Sequence, residues 1–387
     1  MLTGHARIEI TPGTDCPLIG YDQREELFPE GGNAGINDPL FADALVLESD
    51  AARAVILTLD LCVLETSLAD ALRKVVGASA GCPPEAVFIA CSHTHSGPYP
   101  CRTAIGGAEP LPGILRNAAS QAYADALEKI LERVADMAAR NLSPSALRQR
   151  SSTFGMGYTR RVRLDDGSIG MAWNLREWDG PEPEPAGDQA FEVLIIEREN
   201  APSILLWNTA AHPVVLGKQS NVVSADWPGA ARAAMESAMP NFRSMFLHGA
   251  GADVHPWLAT GADPADLDSV AAPVASLCAL LASPPGLNIN SCQLNCESEG
   301  SLSALRIGSV KLLACPFEMF GITGAALRSR FPGLLIATTT NGWSGYCAPS
   351  EVFEEGGYEA EAAHAAGWKP GDCEAILDCA VRLLARV

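Results

Sequence analysis

Three times along this chain an apolar run, an amphipathic stretch and a second apolar run follow one another, and polar residues cluster just after a run's C-terminal end. Apolar runs of strand length joined by a helix-length stretch read as β-α-β units, whose crossover makes the two strands parallel. The first copy takes strand Ala54 to Leu59, helix Leu64 to Val76 and strand Ala86 to Ala90. The second takes strand Ser203 to Trp207, a helix through Ala230 to Ala238 and strand Arg243 to Leu247. Its helix starts at Asp226-Trp227-Pro228-Gly229, with Asp226 as N-cap. The third takes strand Val310 to Ala314, a helix from about Met319 to Arg330 and strand Leu334 to Thr338. The expected fold is α/β, with repeated β-α-β units forming parallel or mixed sheet(s) and outer helices, in a single domain over residues 1–387. Whether the strands form one sheet or two stacked sheets stays open.

In parallel α/β sheets ligands bind outside the carboxyl ends of the strands, where loops vary without disturbing the core. That rule puts His93, His95, His212, Glu318 and Tyr346 on one side of one sheet system. The segment Cys91-Ser92-His93-Thr94-His95-Ser96-Gly97-Pro98 follows its strand directly. Histidines two residues apart in extended chain point to the same side, so one strand end can offer two imidazoles to one metal ion. Imidazoles and a carboxylate converging from separate strand ends form the ligand set expected for catalytic zinc, with a position left for water. His248 to Pro256 reads as a small-residue loop where backbone comes close to something.

Hydrophobic residues make up 48% and charged residues 19%, as in a globular protein with a sizeable core. A net charge of −19 argues against nucleic acid or an anionic lipid surface as the main partner. Met1 to Thr11 lacks a basic segment followed by an apolar one, and Val270 to Ala282, interrupted by Pro273, reads as a buried helix. The expectation is a soluble, cytoplasmic protein acting on a small-molecule substrate, without stable membrane insertion. An oligomer is possible, but no sequence feature supports one. Twelve scattered cysteines read as reduced, buried thiols, and the spacing of Cys292 and Cys296 suits zinc poorly, so no cysteine metal site is expected.

Elsewhere, Ala6 to Ile10 and Ala42 to Glu48 read as strands, Leu147 to Gly170 as a hairpin, and Ile114 to Asn141 as a long amphipathic helix. Tyr358 to Ala366 and Cys373 to Ala385 read as closing helices. Long loops cover Gly20 to Pro39, with Arg24 read as a solvated surface arginine ahead of an anion contact, Tyr99 to Gly113, and Trp178 to Asp188 as a solvated insertion.

The chain resembles the N-terminal catalytic domain of the neutral (non-lysosomal) ceramidase family. The resemblance is carried by Arg7-Ile8-Glu9-Ile10-Thr11-Pro12, Asp38-Pro39-Leu40 with Ala42 to Leu47, and Asp60-Leu61. Ser92-His93-Thr94-His95-Ser96-Gly97-Pro98, Asn208 to Pro213, Gly251 to Pro256, Pro316-Phe317-Glu318 and Asn341 to Pro349 complete it, in family order. It implies a zinc-dependent amidase with His93, His212, Glu318 and Tyr346 as metal ligands. His95 matches the histidine that contacts the reacting carbonyl, and Tyr358 in Gly356-Gly357-Tyr358-Glu359 matches a tyrosine facing the substrate. Arg160 matches the family's Asn-Arg segment loosely, since Thr159 and Arg161 stand where other residues are usual.

Two departures stand out. His255 occupies the place of the family's serine after Gly-Asp-Val, here Ala252-Asp253-Val254, so a serine nucleophile is not carried over. His255 is instead a candidate extra base, substrate contact or cap, and a candidate proton donor to the leaving amine. The chain also stops soon after the catalytic motifs, with no counterpart of the family's immunoglobulin-like C-terminal domain. The implied reaction is hydrolysis of a C–N amide bond in a small soluble N-acyl compound by metal-activated water. An ester or lactone hydrolase, or a non-catalytic metal- or ligand-binding protein on the same scaffold, are the alternatives.

Overall fold

The computed structural model describes residues 1–49, 52–101, 118–283, 288–289 and 293–387. Its main sheet has nine strands. Eight run in the order Phe242–His248, Ser203–Thr209, Ala190–Arg198, Leu142–Thr153, Leu2–Glu9, Phe41–Glu48, Arg53–Leu59 and Val87–Cys91, and Asn288–Ile289 pairs with Leu142–Thr153. The middle of the sheet is antiparallel, while each end is a parallel pair: Arg53–Leu59 with Val87–Cys91, and Ser203–Thr209 with Phe242–His248. Those pairs are the first two β-α-β units, crossed by helices Thr66–Ala80 and Asp226–Ala238. The third, Val310–Ala314 and Leu335–Ala337 around helix Gly321–Arg330, is also parallel but lies in a separate four-stranded sheet with Leu294–Glu299 and Leu302–Ile307.

The strands are apolar on both faces because both faces are covered. Val46, Val55, Leu57 and Ile89 point to one side and pack with Leu68, Leu72, Leu127 and Leu131 of helices Thr66–Ala80 and Ala118–Arg140. Their neighbours Leu45, Leu47, Ile56 and Phe88 point to the other side and meet Leu305, Ile307, Leu312 and Leu335 of the smaller sheet. Alternation along one strand therefore feeds two cores. The far face of the smaller sheet packs on helix Asp372–Arg386 through Leu383 and Leu384, giving layers of helix, sheet, sheet and helix. The question of one sheet or two is answered by two, stacked face to face.

The two ends of the main sheet are stapled by one short segment. Thr338 N–H donates to His248 O at 2.9 Å, Cys91 N–H donates to Thr339 O at 3.3 Å, and Ile89 N–H donates to the Asn341 side chain at 2.8 Å. That segment follows the third unit's second strand, so all three β-α-β units deliver their C-terminal ends to one place.

Several local expectations change. Asp226 is not an N-cap: helix Asp226–Ala238 is preceded by Ala225, and Asp226 has φ 55°. Its carboxylate instead accepts N–H bonds from Val215, Leu216 and Trp227, tying down the loop after His212. Leu142–Thr153 pairs with Ala190–Arg198 and not within a local hairpin, although Arg161–Arg163 and Ile169–Met171 do form one. Gly20 to Pro39 carries helix Arg24–Leu27, and Trp178 to Asp188 ends in a buried ion pair, Asp188 with Arg328 at 3.0 Å. Most of the Tyr99 to Gly113 loop and the start of the Ile114 helix lie outside the described residues; the helix is described over Ala118–Arg140. Helix Ala265–Ala282 has the length and hydropathy of a membrane span, but it packs Leu267, Val270, Val274 and Cys278 into the core beneath strands Ala190–Arg198 and Ser203–Thr209.

Candidate metal centre

His93 stands two residues beyond strand Val87–Cys91, and its backbone is left-handed, φ 69°. The extended-chain expectation for His93 and His95 is therefore corrected: a turn, not period-two alternation, brings the rings together. Their centroids are 4.9 Å apart, and their Nε2 atoms 3.4 Å. His93 N–H donates to Leu61 O, and His93 Nδ1–H donates to Cys62 O at 3.1 Å. His212, beyond strand Ser203–Thr209, donates Nδ1–H to Gly251 O at 2.5 Å. Both rings thus carry their proton on Nδ1 and turn a bare Nε2 inward, the arrangement that backbone carbonyls impose on metal-binding histidines.

Glu318 arrives on the short strand Glu318–Met319, which pairs in parallel with Tyr346–Cys347. Its Oε1 accepts the Trp343 Nε1–H at 3.0 Å. Its Oε2 lies 3.4 Å from His93 Nε2 and 3.2 Å from His212 Nε2. Two donor atoms each about 2.05 Å from a tetrahedral ion stand about 3.3 Å from one another. His212 Nε2 and Glu318 Oε2 are buried, and neither has a hydrogen-bond partner among the described residues. Buried polar atoms are almost always paired, so orphans at ligand spacing fit a metal ion between them.

The electrostatics agree. Burial pushes the Glu318 carboxyl up, but His93 and His212 hold it well below the usual carboxylate range. Burial alone would depress His93, yet Cys62 and Glu318 more than offset it and raise the imidazole well above its ordinary value. Burial pushes His212 down to about 4, leaving it neutral. A cation between the three side chains would take the place of the proton that His93 otherwise carries beside the Glu318 carboxylate.

The remaining predicted residues surround these three. His95, Tyr346 and Tyr358 line the same cavity of about 810 Å³ as His93 and Glu318. Gly20 gives His95 its room: with φ 116°, a Cβ there would come within 2.5 Å of the imidazole. His95 Nδ1 is buried with no hydrogen-bond partner among the described residues, and burial lowers its pKa well below normal, so the ring is neutral. Tyr346 sits opposite Glu318 in register, and its hydroxyl accepts from Arg160 Nη2 at 3.4 Å. Burial raises both tyrosine hydroxyls, which stay protonated.

Arg160 does not reach solvent. Its Nε donates to Glu359 at 2.7 Å, Nη2 to Ala252 O at 2.8 Å, and Nη1 to His255 Nε2 at 3.0 Å. Since a guanidinium only donates, His255 Nε2 accepts and His255 Nδ1–H donates to Trp173 O at 3.0 Å. Both His255 nitrogens are thus engaged within the protein. It is a positioning residue that orients Arg160.

Three neighbours of the triad have no site role in the sequence reading. Cys62 puts its thiol 3.6 Å from His93 Nδ1, and its sulfur groups with His93 and His95 nitrogens within 4.8 Å. Spacing between cysteines could not reveal a single thiol carried in from another strand end. His248, the last residue of strand Phe242–His248, stacks on His93 at 5.1 Å, and its position at a strand end was the available signal. Arg24 is buried, not solvated: it donates to Ile19 O and Ser220 O, and to His95 O, and so fixes the turn that carries His95.

The architecture matches solved structures. The crystal structure of neutral ceramidase from Pseudomonas aeruginosa superposes with a TM-score of 0.72 at 15% identity, over 100% of this chain and 75% of that one. A ceramidase complexed with C2 gives 0.74 at 15% identity, with the same coverage. The chain has the neutral ceramidase fold. No protein-family model matches the sequence, and no curated protein matches it. Within this fold His93, His212 and Glu318 stand together, with Tyr346 on the strand beside Glu318.

Proposed function

We propose that this protein is a zinc-dependent hydrolase that cleaves a C–N amide bond in a small soluble N-acyl compound. The observation that carries the reading is the buried triad of His93, His212 and Glu318 at tetrahedral ligand spacing, with His212 Nε2 and Glu318 Oε2 lacking any other partner. Those three side chains would hold the ion, and Tyr346, beside Glu318, is the fourth candidate. When bound, zinc polarises a carbonyl and lowers the pKa of a water to about 7. An amide carbonyl entering the 810 Å³ cavity would meet His95 and Tyr358 on its wall.

Tyr358, whose hydroxyl stays protonated, donates to the oxygen on which charge develops, and His95 on the same wall does likewise. Each such donor contributes about 2.7–4 kcal/mol to transition-state stabilisation. Arg160 keeps the Tyr346 hydroxyl oriented, while Trp343 fixes the Glu318 carboxylate. Asp22 and Glu361 line the cavity together with Leu18, Ile19, Phe28 and Val63, so its wall offers both polar and apolar contacts to an N-acyl substrate.

The test is a matched panel of N-acyl amines and the corresponding esters with metal-replete protein. Amide turnover that is abolished by chelation and restored by zinc is expected. Turnover of esters alone, or of neither class, would contradict the proposal.

A further inference from the structure

A second cavity of about 400 Å³ opens beside the metal centre and shares Tyr21, His95, Tyr346 and Tyr358 with the larger one. Its walls differ in kind from the metal side. Trp173 and Tyr358 meet edge to face at 5.1 Å and 80°, yet are 38% and 43% exposed. Set nearly at right angles, these two open rings make a corner, with the Trp173 indole as its floor. It is a rigid floor: the indole lies over the Arg160 guanidinium at 4.9 Å, and Trp173 O accepts His255 Nδ1–H and Thr260 Oγ1–H, each at 3.0 Å. A surface held before its ligand arrives loses little entropy on binding.

The rim is polar and also built. Gly217 N–H donates to Gly261 O at 2.6 Å, and a Cβ on Gly217 would come within 2.5 Å of Thr260 O. This close packing anchors the turn that presents Lys218 and Gln219, while Asn174 and Glu177 face the cavity from the Trp173 side. An ammonium, two amides and a carboxylate therefore surround an aromatic floor. An alkyl chain would desolvate that rim without giving it partners, and a plain aromatic ring would use the floor alone. A hydroxylated ring uses both, with its C–H face on the indole and its hydroxyls on the rim.

We propose that this annex seats the sugar ring of an N-acylated amino sugar, so that the acylamino group extends past Tyr358 to His95 and the metal centre. The inference rests on the amide-hydrolase reading and names its substrate class. In the net reaction the amide C–N bond breaks, water supplies the hydroxyl of the carboxylic acid, and its remaining proton goes to the amine.

The experiment compares N-acetylglucosamine, N-hexylacetamide and acetanilide, which share one acyl group, with zinc-loaded protein. N-acetylglucosamine is expected to have a kcat/KM at least about tenfold above both others, because a rim built for hydroxyls discriminates against analogues lacking them. Trp173→Ala and, separately, Gln219→Ala should each reduce that ratio, mainly through KM for the sugar. Equal kcat/KM for all three amides, or a preference for acetanilide, would overturn the inference while leaving the hydrolase reading standing. If no amide is hydrolysed, the hydrolase reading fails, and saturable quenching of tryptophan fluorescence by N-acetylglucosamine, lost in Trp173→Ala, still supports the annex as a sugar site. Absence of that quenching would overturn it too.

Discussion

His93 Nε2 lies 3.4 Å from Glu318 Oε2, and His93 reaches that position with a left-handed backbone, φ 69°. Asparagine tolerates that region far better than β-branched residues do. His93→Asn should therefore lose the metal while staying folded, whereas His93→Val should lose the metal and an additional 1–2 kcal/mol or so of stability. Urea unfolding of both metal-free variants checks the difference. Equal stability of the two would show that the turn does not demand the left-handed conformation.

Arg160 and Glu359 form a buried ion pair at 2.7 Å, with side chains 3% and 0% exposed. Arg161 pairs with the other Glu359 oxygen at 2.8 Å. Without Arg160, Glu359 keeps Arg161 as its counter-charge, but Ala252 O and His255 Nε2 lose their donor, so Arg160→Met should cost about 1–3 kcal/mol. Lysine cannot reproduce the guanidinium fork, and Arg160→Lys should recover only a small part. A loss below about 1 kcal/mol in Arg160→Met would contradict the network.

His255 is held at both nitrogens, by Arg160 and by Trp173 O, which supports a positioning role over proton transfer. His255→Gln should raise KM and leave both limbs of the pH profile of kcat/KM in place. A general acid or base contributes about 10²–10⁴-fold, so a loss of that size with disappearance of one limb would restore a catalytic role.

Asp43 accepts from His5 at 2.7 Å and from Arg7 at 2.8 Å, deep in the main sheet. Burial pushes its carboxyl up, but His5 and Arg7 hold it below its ordinary value. A carboxyl whose folded pKa is lowered stabilises the protein above its unfolded pKa of about 3.9, and that contribution fades as pH falls through the folded value. The stability gap between the native protein and Asp43→Asn should be full at pH 7 and shrink below about pH 4. Denaturant midpoints across that range measure it, and a pH-independent gap would contradict the assignment.

The three parallel β-α-β units were legible because each consists of local patterns: a buried run, a helical period and a second buried run. The rule that sites gather at strand ends puts His93, His95, His212, Glu318 and Tyr346 on one side without any knowledge of packing, and the fold groups three of them, His93, His212 and Glu318, within 4.8 Å. What was illegible depends on distant contacts. Arg24 reads as a surface residue until the His95 and Ser220 carbonyls are seen around it. The Asp226 motif has the composition of a cap, and only the fold reveals that its carboxylate binds the loop at Val215 and Leu216. Glu359 matters because Arg160, 199 positions away, needs a buried counter-charge.

The central claim is that His93, His212 and Glu318 together bind one catalytic metal ion. Elemental analysis of zinc-equilibrated, desalted protein tests it most directly, with the native chain beside His212→Ala and Glu318→Gln. The account predicts about one zinc per native chain and loss of most of it in each variant, because a buried site with one ligand removed keeps neither its charge balance nor its geometry. A native chain that retains no zinc, or variants that retain as much as the native chain, would contradict it.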